Sequence, residues 1–371
     1  MTTISTAHTP STTSDPDPPS SSSDGPVVAV VGAGVIGLAI AWRAASAGRR
    51  VVLIDPKPGS GASRVAGGML APVSEAWPGE DDLLALGSTS LELWPRFAAE
   101  LRAASGRDPG LRTDGTIVVA VDSADREQLH DLAKYLAHLG RAVEELGGRE
   151  LRRLEPTLGP TVRGGLLVPG DLAVDNRRLL DALWRACTLA GVRHVAAAAA
   201  RVRPGRVGLA DGTTVDCDTA VIAAGAWSGS LHPELADVVR PVKGEVLRLR
   251  ARPSALPPPS RTVRAVVEGR NVYAVPRDDG GLVLGATQYE AGFDTDVGVA
   301  GVRDLLRDGE VVLPGIAEYA LVECSAGLRP GSPDNLPVIR TLEPGVIAAT
   351  GHFRNGILLA PVTAGKVMDL L

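Results

Sequence analysis

Apolar runs and glycine-rich breaks alternate near the start of the chain. Residues 27–31 form an apolar run rich in β-branched residues that ends at Gly32, which predicts a buried strand. Apolar spacing then predicts a helix over 36–47, and the run 51–54 predicts a second buried strand. Strand, glycine turn, helix and strand together are typical of the βαβ unit of a parallel sheet covered on both faces.

Farther along, the pattern predicts helices at 83–101, 124–139 and 177–189 and a strand at 116–121. Short strands follow at 242–249, 264–268, 272–275 and 282–284, and Asp278-Asp279-Gly280-Gly281 is a hairpin signal. These predict an antiparallel sheet. The short apolar runs 219–223 and 346–349 return to the first pattern, so we expect a dinucleotide-type domain made of separated segments, with a second domain inserted between them.

Composition excludes several classes of protein. The 371 residues carry 43 Asp and Glu against 38 Lys and Arg, a net charge of -5, which argues against nucleic acid as a partner. Cys187, Cys217 and Cys324 stand in no CxxC pair and the six His are scattered, so we expect neither a disulfide scaffold nor a metal site, and a cytoplasmic setting.

The beginning of the chain predicts neither a signal peptide nor a membrane span. Residues 1–25 are rich in Ser, Thr and Pro and contain no Lys or Arg, which predicts a disordered tail without a basic n-region. The uncharged run 27–42 is shorter than the roughly 20 residues that a membrane span needs, and glycines interrupt it.

Gly32, Gly34 and Gly37 form a GxGxxG motif between the first predicted strand and helix. Gly32 would allow the tight turn, Gly34 would let backbone N–H groups approach a pyrophosphate, and Gly37 would let helix and strand pack closely. Asp55 ends the second strand, where a carboxylate accepts the hydroxyls of a ribose. The motif in this context predicts dinucleotide binding.

Several further segments carry a resemblance to a known family. They are SRVAGGMLAP, AAGAWSG, PVKGE, AGLRPGSPDNLPVI and GHFRNGILLAP, and together with GAGVIGLAIAW they keep one order along the chain. The chain resembles the D-amino-acid-oxidase-like FAD-dependent oxidoreductases, and within them most closely the glycine oxidases of the thiamine pathway. The resemblance implies a Rossmann-like FAD-binding domain (26–86, 166–230 and 324–371) with an inserted antiparallel-sheet substrate domain (87–165 and 231–323), an α/β fold that is α+β overall.

The resemblance also implies which residues bind FAD. The pyrophosphate would lie on the glycine turn, the adenosine ribose by Asp55 and Pro56, and the adenine in the alanine run. Ala62 and Ser63 would approach the phosphates and the ribityl chain. The isoalloxazine would lie by Gly67, Gly68 and Met69, with the segment from His352 to Leu358 along its pyrimidine edge. The full set is Gly32, Gly34, Val35, Ile36, Gly37, Asp55, Pro56, Ala62, Ser63, Gly67, Gly68, Met69, Ala199, His352, Phe353, Arg354, Asn355, Gly356, Ile357 and Leu358. We predict non-covalent FAD, because Cys324 is three residues from Gly327, where covalent relatives carry a Cys.

For catalysis the resemblance points to three side chains. Arg329 would pair both oxygens of a substrate carboxylate, Tyr273 would add a second contact, and Arg354 would position substrate or stabilise the reduced cofactor. The implied reaction oxidises glycine or another small amino acid, with molecular oxygen as acceptor and hydrogen peroxide, ammonia and an imine or 2-oxo acid as products. A homo-oligomer is the assembly that the family suggests.

Alternatives remain at this stage. A D-amino-acid or sarcosine oxidase or dehydrogenase of the same family is the nearest, since Gln288 stands where an apolar pocket residue is expected. A membrane-associated dehydrogenase that reduces quinone is disfavoured by the lack of an amphipathic basic helix. A non-catalytic dinucleotide-binding protein is the alternative of another class.

Overall fold

The computed structural model describes residues 25–371, so the predicted disordered tail lies outside the described residues except for Gly25. The helices in this range are α1 (Val35–Ser46), α2 (Ala62–Val65), α3 (Asp81–Ser105), α4 (Ser123–His138), α5 (Gly148–Leu154), α6 (Asn176–Leu189), α7 (Val299–Val312) and α8 (Ala360–Leu370). Short 3₁₀ turns lie at Gly225–Ser230, Pro233–Leu235, Pro314–Glu318 and Phe353–Asn355. None of the helices from residue 25 onward combines the length and apolarity required to cross a membrane.

Twenty strands complete the described part of the chain. They are β1 (Val27–Val31), β2 (Arg50–Ile54), β3 (Met69–Leu70), β4 (Leu111–Arg112), β5 (Thr116–Ala120), β6 (Glu144–Gly147), β7 (Gly164–Val168), β8 (Leu172–Val174), β9 (Arg193–Val195), β10 (Ala199–Arg203), β11 (Arg206–Leu209), β12 (Thr214–Asp216), β13 (Thr219–Ile222), β14 (Arg240–Arg250), β15 (Thr262–Val267), β16 (Arg270–Pro276), β17 (Gly281–Gly285), β18 (Ala320–Gly331), β19 (Val338–Glu343) and β20 (Val346–Thr350). Every helix and strand predicted from the sequence is present, with ends that differ by a few residues.

A parallel sheet has β1 at its centre. Its order is β19-β20-β13-β1-β2-β9, and only β19 runs antiparallel to its neighbour. Val28 and Val30 face a core shared with α1, α3, α6 and α8, whereas Ala29 and Val31 face the small β10-β11-β12 sheet. Both faces are therefore covered, which explains why β1 is apolar throughout and does not alternate.

The second large sheet has the order β18-β14-β17-β16-β15-β5-β7-β6. Its pairs are antiparallel except β5 with β15, which is parallel. The strands β14 to β17, from which the antiparallel sheet was predicted, pair antiparallel with one another, so that prediction is confirmed. Strands β5, β6 and β7 all precede β14 in the chain, and β5 pairs with β15 across a long connection. The predicted hairpin is confirmed, since β16 and β17 pair antiparallel around Gly280, which has a φ of 79°.

Helix α3 and strand β18 each cross a predicted domain boundary. Trp94 and Phe97 of α3 pack into the core of the parallel sheet, and Phe97 meets Trp42 of α1 edge-on at 5.4 Å between ring centroids. Residues 87–105 thus pack with the segments assigned to FAD binding. Residues 324–331 of β18 belong to the second large sheet, which we call the mixed sheet because of its one parallel pair. The α/β fold class is confirmed, while the division into domains stays a prediction.

We expect Gly37→Ala to destabilise the fold where it positions the glycine turn. A Cβ on Gly37 would lie 1.8 Å from the backbone oxygen of Gly32, so helix α1 must move away from β1 at a cost of roughly 2 kcal/mol or more. Gly365→Ala in α8 is the control, because no atom lies within 4 Å of its added Cβ and alanine favours a helix. Chemical denaturation measures both, and equal stabilities of the two variants would contradict this packing.

Candidate active site

A cavity of about 500 Å³ lies between the two large sheets. Val31 and Ala349 of the parallel sheet line it on one side, and Gly244, Tyr273 and Arg329 of the mixed sheet line it on the other. The cavity therefore has one end at the carboxyl edge of parallel strands, where α/β proteins bind nucleotides, and another end within the second sheet.

The glycine turn leaves an open helix N-terminus at the cavity. Gly32 has a φ of 102°, and a Cβ there would lie 2.4 Å from the oxygen of Ala223, so only glycine fits. Gly34 caps α1 without a side-chain hydrogen bond, and no acid occupies the first turn. Val35 N donates to Ser63 Oγ at 3.0 Å, which holds the next loop against the turn. The positive end of α1 thus suits an anionic group such as a pyrophosphate.

Asp55 is held at the end of β2 by backbone donors. Its two carboxylate oxygens each accept at 2.7 Å, from Ala33 N and from Lys57 N. A carboxylate retains further acceptor sites when it accepts two hydrogen bonds, and Asp55 and Pro56 both line the cavity. The geometry is compatible with the predicted ribose contact, which stays a prediction. Ala199 lines the cavity beside Ala198, at the position chosen for adenine.

The loop after α2 approaches Tyr273 closely. A Cβ on Gly67 would lie 2.7 Å from the Tyr273 ring, and one on Gly285 would lie 2.5 Å from it. Gly67 O accepts at 2.7 Å from Arg277 Nη2, a buried side chain. The sequence reasoning missed Arg277, which carries no motif beyond its place after β16. The two glycines and this arginine fix the ring of Tyr273 against the cavity wall.

Arg329 lies on β18 with its guanidinium at the cavity. Nη1 donates to the backbone oxygens of Thr287 at 3.2 Å and Lys243 at 3.4 Å. Among the described residues no carboxylate forms an ion pair with it, and desolvation, together with the nearby Arg354 charge, lowers its pKa. A desolvated cation without a carboxylate partner is costly, so the site is suited to an incoming anion.

Glu75 is a further cavity residue that the sequence reasoning missed. Its side chain is 14% exposed, and Oε1 lies 3.4 Å from Arg264 Nη2. The carboxylate of Asp171 is fully buried behind this segment and accepts from Ser74 N at 3.2 Å, while burial raises its pKa to about 7. The only sequence signal for Glu75 was an acidic residue within a segment of small residues just after the predicted flavin loop.

The segment from His352 to Leu358 is divided between cavity and core. Phe353, Arg354, Gly356 and Ile357 line the cavity, and Arg354 Nε is buried without a hydrogen-bond partner among the described residues. His352 also borders the cavity, but its Nε2 lies 2.9 Å from Thr363 Oγ1 of α8. Burial lowers the pKa of His352 to about 3, so the imidazole is neutral at ordinary pH.

Three residues expected to contact the cofactor lie off the cavity wall. Gly37 is covered by the Gly32 backbone, which is the packing role of the third glycine. Asn355 is buried within the turn, and Leu358 O accepts from Ser90 Oγ and Trp94 Nε1 of α3. All three residues therefore belong to the packed core behind the cavity.

Other predicted site residues do line the cavity. They are Ile36, Ala62, Gly68 and Met69. Gln288 is exposed and lies outside the cavity lining. It therefore does not replace an apolar residue of the pocket, as its place in the sequence had suggested. Within residues 25–371 no cluster of His, Cys, Asp or Glu is arranged to hold a metal ion.

An open helix N-terminus after β1 and a cavity with half-buried arginines at its other end are typical of a dinucleotide-dependent oxidoreductase. The backbone donors at the N-terminus of α1 and the closely packed glycine turn before it both fit the pyrophosphate of FAD. The chain belongs to the family of FAD dependent oxidoreductases, whose model matches residues 28–370, and FAD is accordingly its cofactor.

Individual relatives are similar over almost the whole described chain. The glycine oxidase of Geobacillus kaustophilus is 34% identical, with 93% of this chain and 92% of that protein covered. The crystal structure of glycine oxidase from Geobacillus kaustophilus superposes with a TM-score of 0.84 at 34% identity, covering 93% of this chain and 94% of that one. The bifunctional protein ThiO/ThiG of Trichormus variabilis is 32% identical over 93% of this chain, which spans only 52% of that longer protein.

We expect His352→Gln to reduce the loss of stability on acidification. Because the native pKa is about 3 and that of an unfolded histidine is about 6.5, the unfolded state binds an extra proton between these values. Stability therefore falls as the pH falls below about 6.5, by up to about 1.4 kcal/mol per pH unit from this group. Unfolding free energies at pH 5 and 7 measure the effect, with the exposed His130→Gln as control. An unchanged pH slope in His352→Gln would contradict a buried neutral imidazole.

We also expect FAD to leave the polypeptide on denaturation. Cys324 is exposed and does not line the cavity, so it is poorly placed for a flavin linkage. After acid precipitation the yellow colour should be in the supernatant, and Cys324→Ser should retain its full FAD content before precipitation. A yellow pellet would show a covalent bond.

Proposed function

We propose that this protein is an FAD-dependent glycine oxidase of thiamine biosynthesis. It would oxidise glycine or another small amino acid to an imine, which hydrolyses to the 2-oxo acid and ammonia, while oxygen is reduced to hydrogen peroxide. The observation that carries the proposal is the desolvated guanidinium of Arg329, which borders the cavity beside Tyr273 and pairs with no carboxylate among the described residues. Relatives named glycine oxidase that cover more than 90% of both chains support it.

Arg329 and Tyr273 would bind and orient the substrate carboxylate. The planar guanidinium offers paired N–H donors to both carboxylate oxygens. Burial raises the pKa of Tyr273, so its hydroxyl keeps its proton and can donate a hydrogen bond. With the carboxylate fixed at this point, the Cα of a small amino acid is held in one orientation, which is the main contribution of positioning to the rate.

The amine of the substrate must lose its extra proton before it can form a C=N bond. Desolvation and the positive charge of Arg329 both disfavour the ammonium form, so the amino acid would bind as the free amine, with its proton released to the solvent, and no dedicated base is required. Glu75 borders the same cavity and can accept a hydrogen bond from the amine. FAD supplies the acceptor for the hydride that leaves Cα.

The finer partners and location are part of the same proposal. A small amino acid and molecular oxygen are the proposed substrates, the cytoplasm is the proposed location, and the homo-oligomeric state stays a prediction. The comparisons do not favour the D-amino-acid or sarcosine oxidase alternative. Peroxide formation with glycine, sarcosine, D-alanine and D-proline would rank these substrates directly.

We expect Arg329→Ala to keep FAD but to lower kcat/KM for glycine by at least about 100-fold, roughly 2.7 kcal/mol, because the carboxylate loses its bidentate partner. Arg96→Ala is the matched control, since the Arg96 side chain is 83% exposed and pairs only with Glu100 on its own helix in the described chain. Peroxide production by the holoenzymes measures both variants. Normal turnover by Arg329→Ala would defeat the assignment, and wild-type protein that purifies without flavin would favour a non-catalytic binding protein.

A further inference from the structure

Strand β14 presents two different faces to its surroundings. On the cavity face, Val242 pairs with Arg329 in the neighbouring strand, and the guanidinium lies across Gly244. A Cβ at Gly244 would be 2.2 Å from Arg329 Nη1, so glycine is required for this crossing. Lys243 and Glu245 alternate with Gly244 and lie on the other face.

The guanidinium also depends on the loop 286–298, which joins β17 to α7. Of the two oxygens that accept from Arg329 Nη1, Thr287 O belongs to this loop and Lys243 O belongs to β14. Most of the loop is exposed. The position of Thr287 O therefore has to be fixed by contacts outside the loop itself.

Glu245 supplies these contacts from a side chain that is 1% exposed. Oε2 accepts from Thr287 Oγ1 at 3.1 Å, and Oε1 accepts from Gly298 N at 2.6 Å. Thr287 Oγ1 also accepts from Glu245 N at 2.9 Å. One buried carboxylate thus holds both ends of the loop and the beginning of α7.

Lys243 fixes the middle of the same loop. Its Nζ donates to Asp294 Oδ2 at 2.5 Å, and its backbone exchanges two hydrogen bonds of 2.9 Å with Tyr289. Lys243 is 5% exposed, and its Nζ lies 4.0 Å from Glu245 Oε1. The hydrogen bond to Asp294 raises the pKa of Lys243, so the ammonium form is maintained beside the carboxylate.

We propose that Glu245 and Lys243 are positioning residues for substrate binding, which act by holding Thr287 O where it orients the guanidinium of Arg329. The proposal rests on the carboxylate-binding role of Arg329 in the proposed function. It gives the PVKGE segment a purpose, since Gly244 leaves room for the guanidinium, while the side chains of Lys243 and Glu245 anchor the loop that carries Thr287 O. A guanidinium that is free to rotate would lose the paired geometry that a carboxylate requires.

The test measures carboxylate affinity in holoenzyme variants. Glu245→Ala and Lys243→Met are expected to raise the KM for glycine and the Kd for acetate roughly tenfold, because a mobile guanidinium has to be ordered when the carboxylate binds. The kcat should stay within about twofold, because Arg329 still pairs with the carboxylate once the substrate is bound. Flavin absorbance reports acetate binding without turnover. Glu245→Gln should stay within about threefold of wild type, because an amide can keep contacts to both Gly298 and Thr287.

Controls separate positioning from general destabilisation. Glu310→Ala removes an exposed acid of α7 and should leave the KM, the acetate Kd and the melting temperature unchanged. If Glu245→Ala, or Lys243→Met where the alanine variant does not fold, lowers only the melting temperature and gives a wild-type KM and acetate Kd, the proposal is overturned.

A double variant distinguishes this proposal from the proposed function. In an Arg329→Ala background, Glu245→Ala should add less than about twofold to the acetate Kd, because the group that it positions is gone. A full tenfold addition would show that Glu245 acts by another route. If Arg329→Ala alone binds acetate and oxidises glycine normally, Arg329 does not bind the carboxylate and this proposal is overturned with that assignment. Wild-type holoenzyme that forms no peroxide with glycine, by contrast, contradicts the proposed function.

Discussion

The pairing of β14 with β18 is the constraint on which the cavity depends. It runs from Arg240 opposite Gly331 to Arg250 opposite Ala320 and carries Arg329 to the inner wall. The guanidinium of Arg329 loses hydration here without gaining a carboxylate partner among the described residues, which costs free energy. Rigid strands on one side and the anchored loop on the other hold the guanidinium in this position. Binding of an anionic substrate would offset part of this desolvation free energy, because the ligand supplies the missing partner.

Local motifs could be predicted from the sequence, whereas long-range pairings could not. Gly32, Gly34 and Gly37 act within a few residues of each other, so their spacing indicates the turn directly. The β5–β15 pair joins Thr116 to Thr262, and no periodicity reveals which distant strand lies beside which, or in which direction. The same limit explains why the packing of helix α3 against the parallel sheet could not be predicted from the sequence.

Site residues outside a motif were missed for a related reason. Arg277, Arg248 and Arg264 donate to the backbone oxygens of Gly67, Arg64 and Ser74 respectively. These contacts hold the loops that form the cavity floor, but each joins segments more than 180 residues apart in the chain. Among many arginines, composition gives no means of distinguishing those that support a loop from those on the surface. Resemblance identified Arg329 because its neighbours in the chain belong to a motif.

The charge of the cavity connects binding to chemistry. The whole chain has a net charge of -5, yet Arg329 and Arg354 lie close enough that the second lowers the pKa of the first. Positive charge in a desolvated site favours a substrate carboxylate and disfavours an ammonium group. It also favours negative charge that develops on a bound cofactor during reduction. Under the proposed function, one sign of charge would therefore serve substrate binding, amine deprotonation and electron acceptance, which would account for arginines at this end of the cavity in an acidic protein.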